Sequence, residues 1–95
     1  MAPLRNPGFF FDARPLAAAG RKGTCDGMKV DREGNLWACG PGGILVLTPQ
    51  AKLLGILNTG TLTANCAWGD DGRTLYITAY RFLLRIKTLT KGAGW

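Results

Sequence analysis

Between residues 27 and 87 the chain alternates short apolar runs with turn residues, and no stretch keeps the 3.6-residue spacing by which a helix buries one face. In the first half the apolar runs fall at 27–30, 35–39, 44–48 and 52–57. Asp31-Arg32-Glu33-Gly34, Gly40-Pro41-Gly42-Gly43 and Pro49-Gln50-Ala51 separate them. In the second half the runs fall at 64–69, 74–79 and 82–87, with Asp70-Asp71-Gly72-Arg73 between the first two. The pattern predicts four strands followed by three. Gly34 and Gly72 stand where hairpin turns need a positive φ. Upstream, 8–13 predicts one more strand, and the glycine-terminated 16–20 no more than a turn of helix or a linker. The tail 88–95 is a weak candidate for a closing strand.

The two halves are copies. Asp26 to Leu47 runs in register with Asn65 to Ile86 at an offset of 39, so Leu36-Trp37 falls on Leu75-Tyr76 and Ile44 to Leu47 on Leu83 to Ile86. One small shift sits inside the turn, where Asp31 to Asn35 answers Asp70 to Thr74. A period near 40 with several short strands per unit is the signature of a propeller blade. The reading is all-β: two consecutive blades of the four-stranded type, the second lacking its outer strand. It divides the chain into 1–25, an outer strand of a preceding blade plus linker; 26–62, a blade; and 63–95, an incomplete blade and tail. Blades bury their faces by stacking on neighbours, so two of them are read as a partial propeller, belonging to a larger ring or completing one by association. Three such chains closing one ring is the form of self-association expected.

Composition narrows the chemistry. The chain has 95 residues, one small domain, with 46% hydrophobic residues and 14 glycines. Histidine is absent, which removes Ser-His and Cys-His catalysis and every imidazole metal site. No apolar run reaches the roughly 18–20 residues of a membrane span, and the N-terminus lacks the apolar core of a secretory signal. Cysteines 25, 39 and 66 are odd in number and widely spaced, which supports neither a disulfide framework nor a metal knuckle. All three read as small buried hydrophobes in a reducing compartment, so a cytoplasmic location is expected. The net charge of +6 comes with no nucleic-acid motif, and neither nucleic acid nor membrane is expected as a partner. Gly40 to Gly43 lacks the lysine and helix start of a phosphate loop and reads as a hairpin turn. Trp37, Trp68, Tyr76 and Phe82 read as core between the blades rather than stacking platforms.

The stretch Cys25-Asp26-Gly27-Met28-Lys29-Val30-Asp31-Arg32-Glu33-Gly34-Asn35-Leu36-Trp37 resembles the DGMxVDxxGNLW segment of the regucalcin/gluconolactonase family. Gly40-Pro41-Gly42-Gly43-Ile44, Ala64-Asn65-Cys66-Ala67-Trp68-Gly69 and Thr74-Leu75-Tyr76-Ile77-Thr78-Ala79 follow in order. The resemblance covers roughly residues 9–87. It implies a six-bladed β-propeller about three times this length, of which the chain corresponds to the C-terminal third. It also implies hydrolysis of a sugar lactone, hence carbohydrate metabolism, assisted by one divalent cation (Ca, Zn, Mn or Mg) in the central channel.

In the family the aspartate of Asp-Gly-Met is a metal ligand, and it matches Asp26. Oxygen ligands for a hard cation agree with the absence of histidine. The family's other ligands, a glutamate and an asparagine, have no counterpart here, so the isolated chain is expected to be inactive. Where members commonly carry Pro-Asp-Gly, this chain has Cys25-Asp26-Gly27 and loses the proline's fixed φ. The repeat register places Asn65 where the first copy has Asp26, so Asn65 is expected to contact the substrate through its amide. No residue is singled out as the catalytic acid, base or nucleophile. The alternative is a non-catalytic β-propeller interaction module of NHL-like type, its Asp-x-x-Gly-Asn turns purely structural.

Overall fold

The Asp-Gly turns set the register of both sheets in the computed structural model, which describes residues 8–95. At the first turn the buried Asp31 carboxylate accepts the backbone N–H groups of Glu33 and Asn35, each at 2.9 Å, the Asn35 side-chain amide at 3.2 Å and the Trp37 indole N–H at 3.0 Å. Gly34 and Gly72 take φ of 86° and 84°, as the turns require. The strands are β1 (Met28–Val30), β2 (Leu36–Gly40), β3 (Gly43–Leu47), β4 (Leu53–Asn58), β5 (Thr63–Gly69), β6 (Thr74–Ala79) and β7 (Phe82–Lys87). They match the seven expected runs to within one residue at each end. All are antiparallel, in one sheet of order β1-β2-β3-β4 and a second of order β5-β6-β7.

The 39-residue echo survives rung by rung on the β2–β3 and β6–β7 ladders. Trp37 faces Val46 as Tyr76 faces Arg85, and Cys39 faces Ile44 as Thr78 faces Leu83. Across the turn it slips. Met28 pairs with Ala38, whereas the counterpart of Ala38, Ile77, pairs with Cys66 rather than Ala67. The strands before the turns are therefore related by 38, because the second turn is one residue longer.

The sheets pack through Cys39, Ile44, Cys66, Leu75, Ile77 and Ala79, with Trp37, Val46, Leu57, Trp68 and Leu84 around them. Each fully buried Ile or Leu in that layer is worth about 1.5–3 kcal/mol. Trp37 and Trp68 meet edge to face at 5.2 Å, and the Trp68 indole N–H donates to the Val30 carbonyl at 3.1 Å, tying sheet to sheet.

Four expectations change. Residues 8–13 form no strand: Phe9 and Phe10 are exposed, and Asp12 accepts the Arg14 backbone N–H at 3.0 Å and so starts the short helix α1 (Arg14–Ala18). The helix turn expected at 16–20 accordingly begins two residues earlier. The tail forms no fourth strand, in keeping with a second unit expected to lack its outer one. It folds back over both turns instead, with Arg32 N–H on the Lys91 carbonyl at 2.8 Å, Gly92 N–H on Gly72 at 2.9 Å and Ala93 N–H on Val30 at 3.0 Å. Phe82 is exposed, since it opens the edge strand β7, and Cys25 is exposed, since it precedes β1, whereas Cys39 and Cys66 are buried as expected.

Candidate functional site

Asp26 sits just ahead of β1, where the chain crosses the end of the first sheet. Its N–H donates to the Cys39 carbonyl at 3.0 Å, the Cys39 N–H donates to the Gly27 carbonyl at 2.9 Å, and the Gly27 N–H reaches the Ala64 carbonyl in the second sheet at 2.8 Å. Backbone bonds from two sheets thus fix the approach to Asp26, in the place of the missing proline. Its side chain is exposed and lines an open cleft of about 480 Å³, together with Gly23, Thr24, Leu62, Thr63, Ala64, Thr78 and Tyr80. The cleft combines one carboxylate, three threonines, an aliphatic wall and an aromatic ring. Thr63 is held in place by a 2.6 Å hydroxyl contact with Thr59. Arg81 lays its guanidinium over the Tyr80 ring, 5.2 Å from the centroid.

Asn65 does not line this cleft. Asp26 and Gly27 together face Cys39, and Ala64 and Asn65 together face Thr78, at the register shift in β5. The counterpart of Asp26 is therefore Ala64, and Asn65 corresponds to Gly27. This corrects the equivalence drawn from the plain 39-residue offset, and the one-residue turn difference is its cause. The Asn65 side chain lies against Gly27, its Oδ1 accepting the Cys66 N–H at 2.9 Å and contacting the Lys29 ammonium at 3.4 Å. A Cβ at position 27 would collide with that amide, so only glycine lets the two strands approach this closely.

Beneath the cleft, Cys39 and Cys66 face one another in the core. The neighbouring Cys66 thiol and burial push the Cys39 thiol above its ordinary range, and the Cys66 Sγ lies 3.6 Å from the Trp37 carbonyl. Closed off from solvent and protonated, Cys39 is packing rather than a nucleophile. Thr24, Thr78 and Tyr80 were not singled out from the sequence, because they share the cleft with Asp26 only where the end of β6 and the turn after it run beside the 23–26 segment. Asp31 was legible only as a turn residue.

A hard cation such as calcium takes roughly six to eight oxygen ligands. Among the described residues no three His, Cys, Asp or Glu side chains cluster. The cleft contributes one open carboxylate and neutral oxygens, which suits one edge of such a site and not the whole of it.

The chain matches the model of the family described as SMP-30/Gluconolactonase/LRE-like region over residues 3–81. A gluconolactonase from Zymomonas mobilis subsp. mobilis is 41% identical over 75 residues, which is 77% of this chain and 21% of the relative. An X-ray structure of a protein provisionally assigned as a gluconolactonase superposes with a TM-score of 0.79 at 34% identity, over 94% of this chain and 29% of the other. The chain thus spans about a fifth of the length of the curated relative and under a third of that of the solved one. By sequence and by fold, it belongs to the SMP-30/gluconolactonase/LRE-like family.

Proposed function

We propose that this chain supplies one wall of a lactone-hydrolysing site of gluconolactonase type, with Asp26 as an oxygen ligand of one divalent cation. The observation that carries the reading is the Asp26 carboxylate: exposed, opening into a cleft, and set in the Asp-Gly-Met context of the family. Each sheet is read as one blade of a propeller, with the remaining ligands on residues beyond this chain. The substrate is a small sugar lactone, and family membership favours this reading over that of a non-catalytic interaction module. A bound cation would supply Lewis acidity toward the lactone carbonyl.

The chain's own residues do the rest. Asp26 holds one ligand position, and the Thr24 and Thr78 hydroxyls offer donors and acceptors to ring hydroxyls. Leu62 and Tyr80 shed water from the apolar face of the sugar. Asn65 acts at one remove, holding the strand that carries Asp26 through its contact with Gly27.

Calorimetric titration of the chain with calcium, manganese and zinc, beside a pH-stat assay on a sugar δ-lactone, tests this. Weak cation binding that disappears in Asp26→Ala, with no turnover by the isolated chain, is expected. Binding unchanged in Asp26→Ala refutes the ligand role.

A further inference from the structure

The Asp26 cleft is walled by Gly23-Thr24 on one segment and Leu62-Thr63-Ala64 on another. The two segments that form its walls continue backwards along the chain into a second cavity of about 250 Å³, lined by Arg21, Lys22, Gly42, Asn58, Gly60 and Thr61. Arg21-Lys22 precedes Gly23-Thr24, and Gly60-Thr61 precedes Leu62-Thr63, so the two cavities lie side by side between the same pair of segments.

The groups in the second cavity are donors. Among the described residues the one ion pair joins Arg14 to Asp12, so neither Arg21 nor Lys22 has an acidic partner. The Gly42 N–H holds the Lys22 carbonyl at 2.8 Å, which fixes the basic pair against the β2–β3 turn. Gly42 has φ of 104°, and a Cβ there would come within 3.0 Å of the Arg21 guanidinium, so the bare backbone makes room for the arginine. The Asn58 Oδ1 accepts the Gly60 N–H at 2.8 Å, which leaves the Asn58 amide N–H groups available to a ligand. Two cations, an amide and a threonine around a small cavity make a receptor for a compact anion.

We propose that this cavity is an anion subsite continuous with the Asp26 cleft, and that the ligand is a hydroxylated ring bearing a phosphate or carboxylate. Arg21 and Lys22 hold the negative group while the ring lies toward Tyr80 and Asp26. Resting on the lactonase reading, the substrate is then an anionic sugar lactone rather than a neutral one. The basic pair keeps the negative group away from the Asp26 carboxylate, so charge sets the orientation of the ring.

The test is a ¹H–¹⁵N titration of the full chain with a hexose phosphate, the parent hexose and inorganic phosphate. The hexose phosphate is expected to shift the amides of Arg21, Lys22, Gly42, Gly60 and Thr61 together with those of Thr24 and Asp26. It should bind at least roughly tenfold tighter than either the hexose or phosphate alone, as paired charge-assisted contacts allow. Arg21→Gln and Lys22→Gln, both at exposed positions, should erase that advantage without moving Tm. Equal affinity for inorganic phosphate, or shifts that survive both substitutions, would overturn the proposal. Asp26-dependent cation binding without hexose phosphate binding sinks this inference and leaves the lactonase reading intact. Hexose phosphate binding without Asp26-dependent cation binding keeps the anion subsite and removes the lactone.

Discussion

Asp31→Asn is the sharpest test of what holds the β1–β2 turn, and with it the first sheet, in register. The Asp31 carboxylate is 2% exposed and forms no ion pair among the described residues, so four hydrogen bonds offset its burial. In the asparagine variant the Oδ1 position keeps the Glu33 and Asn35 backbone N–H groups. The new amide nitrogen then faces the Trp37 indole N–H and the Asn35 amide, donor against donor. Two lost contacts to a charged acceptor, each worth about 1.5–3 kcal/mol but not additive, give an expected loss of about 2–3 kcal/mol. In a domain of this size each kcal/mol moves Tm by roughly 4–8 °C. A fall on the order of 10–20 °C is therefore expected in far-UV circular dichroism melts. The control is Asp70→Asn, the equivalent position in the second copy. There the carboxylate is exposed and bonds the Tyr76 hydroxyl at 2.9 Å, so less than about 1 kcal/mol should be lost. Equal losses in the two variants, or an Asp31→Asn melt indistinguishable from the parent, would refute the argument that this buried carboxylate sets the register.

Gly27→Ala drives a methyl group into the Asn65 amide, with the Ala64 carbonyl 3.0 Å behind it, and should cost about 2–3 kcal/mol and weaken Asp26-dependent cation binding; an unchanged melt would show that the strands can part there. Tyr80 takes φ of 54° in the β6–β7 turn, where a bulky residue is strained by about 1–2 kcal/mol, so Tyr80→Gly should hold or raise Tm while widening the cleft. Iodoacetamide should label Cys25 in the folded chain and reach Cys39 and Cys66 only on unfolding, as mass spectrometry would show. The Arg14 side chain, hydrogen-bonded to Asp12 at 2.7–3.1 Å, holds the Asp12 carboxyl down at about pKa 2. Because that value lies below the unfolded carboxylate's, the pair contributes above roughly pH 4 and is lost as pH falls through about 2, which a carboxyl ¹³C titration would follow.

Much of the architecture was written locally. Alternating apolar positions, Asp-Gly turns and a 39-residue echo specify seven antiparallel strands in two similar units, because strand period and turn chemistry are properties of neighbouring residues. The aromatic run at 9–11 misleads for the same reason: it has strand-like composition, but without a partner edge Phe9 and Phe10 stay exposed beside an Asp12–Arg14 clamp. Asp26 could be singled out from its Asp-Gly-Met setting, and it does line a cleft.

What only the tertiary structure decided is which residues share that cleft. A turn longer by one residue in the second copy moves every side chain before it to the next rung, which takes Asn65 off the position of Asp26 and puts Ala64 there. Thr24 lies on the Asp26 segment while Thr78 and Tyr80 line the cleft from the end of β6 and the turn after it, and Arg21-Lys22 becomes a pocket only where the 58–61 segment runs beside it. Sequence determines the strands because backbone pairing is periodic. The site depends on how two sheets stack and where their loops converge, a matter of distances between residues far apart in the chain.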